Sequence, residues 1–170
     1  MKYTLEERKE IYSRPLEEQF VPLYKEGDAI VYRHLIRSTE SEDYCVVFEV
    51  AKALAREKNG PIWILPEINR HESILRGLLG LSIVDGYTPD IMKDIGSFID
   101  VKSPKVERKL SRNAGKASRQ FAVACITDHQ LIFNESRVDE FAKRVFGAEN
   151  YQYNEVYFYV KGILSKRTKA

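Results

Sequence analysis

A chain of 170 residues that is 44% hydrophobic and 31% charged has the make-up of one globular domain with a real core. No apolar run approaches the ~18 residues of a membrane span, and the charged opening MKYTLEERKE lacks the apolar stretch of a signal peptide, so a cytoplasmic protein with no membrane partner is the default expectation. The net charge of +2 is too small to announce nucleic acid by itself; its uneven distribution carries more.

In chain order, Thr4 and Glu7 form a capping-box pattern, which predicts a helix from Leu5 that stops before Pro15. Residues 16–27, broken by Pro22 and Gly27, read as an arm or an extra helix. Ala29 to Ile36 is β-branched and aromatic, the composition of a strand. Thr39 and Glu42 form a second capping-box pattern, and the helix after it runs to about Lys58 before Asn59-Gly60. Its core stripe is Tyr44, Val47, Phe48, Ala51, Leu54 and Ala55. Glu49 flanks that stripe with Cys45 and Lys52, either as a solvated boundary residue or as an acid reaching toward a site. Pro61 to Pro66 predicts a central strand with Glu67 at its end. Residues 69–79 read as helical or irregular, and His71 as a loop residue. Cys45 and Cys125 lie in apolar segments without C-x-x-C spacing and read as reduced, buried thiols.

The stretch from Thr88 to Pro104, TPDIMKDIGSFIDVKSP, predicts a hairpin turning at Lys93 to Gly96. Side chains in a strand alternate, so Ile99 and Val101 point one way and Phe98, Asp100 and Lys102 the other. The hairpin can carry Asp90 beside them. Two carboxylates and a lysine at one point suit a Mg²⁺- or Mn²⁺-assisted phosphodiester cleavage site. The carboxylates hold a hard cation, and the lysine positions water or offsets developing charge. The same spacing also fits a solvated pair on an exposed sheet face, worth roughly 0–1 kcal/mol.

Next comes a basic helix over residues 105–118, with Val106, Leu110, Ala114 and Ala117 on its apolar side. Lys105, Arg108, Lys109, Arg112, Lys116 and Arg119 face Glu107 alone. The run fits an ordinary solvated face or a surface that holds phosphates without reading sequence. Gln120 to Thr127 predicts a buried strand, 131–133 a short extension, 136–146 an amphipathic helix ended by Gly147, and 154–160 a last strand. The tail SKRTKA reads as frayed. The order predicts an α/β (α+β) fold with a central mixed β-sheet flanked by helices; a segregated layout, helices first and an antiparallel sheet after, is the alternative.

The helix with Glu49, the strand, Pro89-Asp90, Asp100-Val101-Lys102, then a helix and a strand, together resemble the PD-(D/E)xK nuclease superfamily. The pieces ILPEI, GYTPDI, GSFIDVKSP and KASRQFAVACIT are similar to the C-terminal nuclease domains, tRNases among them, of contact-dependent growth-inhibition toxins and phage or mobile-element relatives. The resemblance implies a restriction-endonuclease-like αβββαβ core that cleaves RNA or DNA with Mg²⁺. It implies Asp90 and Asp100 as metal ligands and Lys102 as the group that positions the nucleophilic water. Glu49 matches by order alone, and Glu67 competes for its role. Lys116 and Gln120 match the family's helix end, facing substrate. The implied organisation is an N-terminal arm (1–38), a nuclease-like domain (39–165) and a flexible basic tail (166–170). An immunity protein is the implied partner. Without a secretion module, the expectation is a free-standing mobile-element protein or an inactive relative. Two alternatives stay open. One is a metal-independent barnase/colicin/RelE-like RNase using His71, Lys102, Arg112 and Lys116. The other is a silent domain that binds nucleic acid or protein.

Overall fold

The computed structural model of the chain describes residues 3–68, 72, 77 and 88–170. His71 and nearly all of 69–79 lie outside them. Eight strands form one mixed sheet in sequence order: β1 (Phe20–Glu26), β2 (Ala29–His34), β3 (Pro61–Ile64), β4 (Ile91–Asp94), β5 (Ser97–Lys102), β6 (Ala122–Thr127), β7 (Glu155–Val160) and β8 (Ile163–Thr168). The pairs β2–β3, β5–β6 and β6–β7 are parallel; the others are antiparallel. Four α-helices flank the sheet among the described residues: α1 (Leu5–Tyr12), α2 (Tyr44–Lys58), α3 (Leu110–Arg119) and α4 (Val138–Phe146). The architecture is mixed α/β, and among the described residues α2, β3, β4, β5, α3 and β6 follow in that order. None of these helices is long and apolar enough to cross a membrane.

Strand alternation sorts the core. Val31, Ile62, Ile64, Ile91, Ile99, Val123, Cys125 and Tyr157 face α2, meeting Val47, Val50, Ala51 and Leu54. On the other face, Ala124, Ile126, Val156 and Phe158 pack under α3 and α4, while Leu65, Met92, Phe98 and Ala122 pack with Ile11 and Tyr12 of α1. Removing that much apolar surface from water is the main force holding the layers together. The two clusters on the second face leave a seam between them, and Asp100 lies along it.

Several expectations are corrected. Residues 16–27 are a 3₁₀ turn (Leu16–Gln19) and the edge strand β1, which carries Pro22 beside a register shift, where a missing N–H is tolerated. The basic end is not frayed. Lys161 and Gly162 both take positive φ (49° and 77°), which makes a two-residue hairpin turn, and β8 pairs along all of β7. Its lysine and arginine protect an exposed sheet edge, so its composition reads as tail. The second helix starts at Tyr44, since Asp43 rather than Thr39 holds the N-cap position. Val106 lies ahead of α3 and is partly exposed, and 131–133 is not a strand. Cys125 is fully buried and burial pushes its thiol pKa up, but Cys45 is exposed on α2.

His34, on β2, is fully buried. Its Nε2 pairs with Gln19 Oε1 (3.0 Å) and its Nδ1 accepts the Ile36 N–H (3.2 Å), so the neutral ring is satisfied at both nitrogens. Burial above all pulls its pKa down to about 3. Protonation would set an N–H against the Ile36 N–H. The unfolded chain takes up a proton near pH 6.5 and the folded chain resists it, so stability from this group is present above pH 6.5 and is lost as pH falls toward 3. We expect a loss of roughly 2 kcal/mol from this residue between pH 7.5 and 5, by the linkage relation. Urea unfolding at both pH values checks it: His34→Gln should show the smaller decrement. An equal decrement would assign the acid sensitivity elsewhere.

Candidate active site

Two acids meet because of register. Ile91 pairs with Ile99 and Met92 with Phe98, so one step back sets Asp90 opposite Asp100 at the mouth of the β4–β5 hairpin. The turn that brings the strands together has Gly96 at φ 79°, a conformation open to glycine. Asp90 is anchored through its backbone, its carbonyl accepting the Leu65 N–H (2.9 Å). Its Oδ2 accepts the Val101 N–H (3.0 Å), while Arg37 Nη1 donates to Oδ1 (3.4 Å) and to the Leu65 carbonyl (3.3 Å).

Asp100 is the most enclosed group of the site, with 4% of its side chain exposed, and Lys102 Nζ lies 2.5 Å from its Oδ2. Gln120 reaches it from just beyond α3. With its amide oriented to satisfy both groups, Nε2 donates to Oδ2 (2.6 Å) and Oδ1 (3.2 Å) of Asp100. Burial is the chief reason that the Asp100 pKa stands well above the usual carboxylate range. The Asp90 charge, with which it is in hydrogen-bonding contact, raises it further, and Lys102 pulls the other way. Asp100 therefore holds a proton more tightly than an ordinary aspartate.

A basic wall closes one side. Lys102, Lys116, Arg119 and Gln120 line a cavity of about 230 Å³. A second cavity, of about 290 Å³, is lined by Ser103, Lys105, Lys109, Arg112, Asn113 and Lys116. Lys116 borders both, so they adjoin along α3. Arg108 is exposed and lines neither. Leu110, Ala114 and Ala117 hold the helix to the sheet, and Gly115 lets it approach the 147–154 loop, where a Cβ would lie 3.1 Å from that of Asn150.

The structure brings Asp90, Asp100, Lys102 and Gln120 together. It does not bring Glu49 to them: α2 packs on the face of the sheet bearing Ile99 and Val101, opposite to Asp100 and Lys102, and Glu49 is paired with Lys52 (2.6 Å). Glu67 is exposed in the segment after β3, its carbonyl accepting from Arg8 Nη2 (3.2 Å). Among the described residues no group of three or more His, Cys, Asp or Glu is placed to hold a metal ion, so the acid set here is Asp90 and Asp100. Arg37 is the group that sequence reading missed. It lies in the turn after β2, far along the chain from Asp90, and a lone arginine carries no periodicity or motif. No family model, no curated protein and no solved structure matches this chain.

Proposed function

We propose that this chain is a divalent-cation-dependent phosphodiesterase of nucleic acid, related in design to PD-(D/E)xK nucleases, with RNA, tRNA included, ahead of DNA as substrate. One observation carries the reading: two carboxylates and a lysine converge on the seam of the sheet beside an uncompensated basic helix. The donor set fits Mg²⁺ or Mn²⁺. Such ions are held by one or two carboxylates and keep several waters, and a second positive charge would offset the burial and the Asp90 charge that raise the Asp100 pKa. When bound, the cation would polarise the phosphate and make a coordinated water more acidic. Asp90 and Asp100 would hold it, Asp100 after losing its proton. Arg37 and the Val101 N–H fix the Asp90 carboxylate, and Gln120 fixes that of Asp100. Lys102 would orient the attacking water and offset the charge growing on phosphate oxygens. Lys105, Arg108, Lys109, Arg112, Lys116 and Arg119 would bind the polyanion through its phosphates.

A second reading, binding without cleavage, draws on the pairing already present: Lys102 and Gln120 occupy Asp100, and Arg37 occupies Asp90. Incubating the protein with tRNA and plasmid DNA in Mg²⁺ or Mn²⁺, with and without EDTA, separates the readings. Cation-dependent cleavage supports the proposal. Salt-sensitive binding with no cleavage supports the silent domain, and cleavage that survives EDTA supports a metal-independent RNase. A toxin role would further require an immunity protein that blocks this groove.

A further inference from the structure

The cavity between Ser103 and Lys116 has a composition that the scissile site does not use. Its lining side chains are donors, four of them cationic: Lys105, Lys109, Arg112 and Lys116. Among the described residues none of the four is ion-paired to an acid. Glu107, the one nearby carboxylate in this stretch of sequence, is taken by two arginines: Arg137 Nη1 donates to its Oε1 (3.0 Å) and Arg144 Nη1 to its Oε2 (3.3 Å). The cup also lies where the 3₁₀ turn Glu107–Lys109 leads into α3. The four like charges around the cavity repel one another until an anion arrives. The hydroxyl of Ser103, which shares a hydrogen bond with Thr127 (2.6 Å), and the amide of Asn113 supply neutral polar atoms at its rim.

We propose that this cup is a discrete subsite for a second phosphate of the substrate strand, the one neighbouring the phosphate held at Asp100 and Lys102. The inference rests on the nuclease reading and narrows it. The substrate class is then an oligonucleotide with consecutive phosphates rather than an isolated phosphodiester. Lys116, which borders both cavities, sits between the two phosphates.

The test compares two substrates, a fluorescent 12-nucleotide single-stranded RNA and bis(p-nitrophenyl) phosphate, which has one phosphodiester and no neighbour. The variant is Lys105→Gln/Lys109→Gln/Arg112→Gln, with Arg112→Gln alone as a milder companion and circular dichroism as the check on folding. The ratio of kcat/KM for the oligonucleotide to that for the small diester should fall at least about tenfold in the triple variant. The slope of log affinity against log salt should flatten by about 0.7 for each phosphate that the variant no longer neutralises. An unchanged ratio together with an unchanged slope overturns the subsite. If the wild type cleaves neither substrate, the nuclease reading fails by itself. Equilibrium binding of the RNA then judges the cup alone: weaker, less salt-dependent binding in the triple variant supports it, and equal binding overturns it.

Discussion

Asp100→Asn is expected to abolish cleavage and to make the protein more stable at pH 8. The native carboxyl sits almost wholly out of water beside a second carboxylate, so its charged form is disfavoured in the folded state. A raised folded pKa means that the stabilisation given by the bound proton is complete below the unfolded value of 3.8 and is lost as pH rises through the folded value. At pH 8 the wild type carries the cost of the charge. Asparagine keeps the shape, has no proton to lose, and removes the cost. Relieving such a buried charge typically gains roughly 1–2 kcal/mol, or a few degrees in melting temperature for a chain of this size. The gain should shrink toward zero at pH 3, below the unfolded value of 3.8, where the carboxyl is protonated in the folded and the unfolded chain alike. Thermal melts at the two pH values, run beside the cleavage assay, check both halves. A variant less stable than wild type at pH 8 would mean that the ion pair with Lys102 outweighs burial.

Asp90→Ala is expected to lose cleavage and stability together, because this acid also holds structure. Its Oδ2 is the acceptor for the Val101 N–H, and its Oδ1 faces Arg37, whose side chain is 10% exposed. Alanine leaves a partly buried donor without its acceptor and takes the acid away from an enclosed guanidinium, a cost of about 1–3 kcal/mol. Asp90→Asn keeps an oxygen for Val101 and should lose under about 1 kcal/mol, while still losing activity for want of charge. Chemical denaturation of the two variants separates the structural from the chemical role. Equal stability losses in both would show that the Arg37 pair, not the Val101 hydrogen bond, carries the structural role.

The two acids thus divide their work, and the division explains what the sequence could and could not say. Alternation along a strand has a fixed period, so the shared face of Asp100 and Lys102 was readable from three residues. The turn chemistry at Lys93 to Gly96 made the hairpin that carries Asp90 readable, but the register shift between Met92 and Asp94, which sets Asp90 opposite Asp100 rather than Val101, left no local pattern. The apolar stripe of α2 and the buried run of β6 were legible for the same reason of period. Glu49 was not, because being in the right order along the chain does not settle which face of the sheet a helix covers. Arg37 and the aim of Gln120 onto Asp100 depend on long-range packing and leave no local pattern. The edge strands β1 and β8 were hidden by their own protection: Pro22 in one, Lys166 and Arg167 in the other, make solvent-facing sheet edges look like linker.

The decisive measurement is a Mn²⁺ titration followed by electron paramagnetic resonance at pH 8 and again at pH 5, with wild type and Asp100→Asn. A hard-cation site built on these two acids predicts one weak site in the wild type at pH 8. Its affinity falls at pH 5, because protons compete with the cation for Asp100, whose pKa burial raises, and the site is absent from the variant at either pH. Binding that is equally tight in both proteins, or no binding in the wild type at pH 8, would contradict the account.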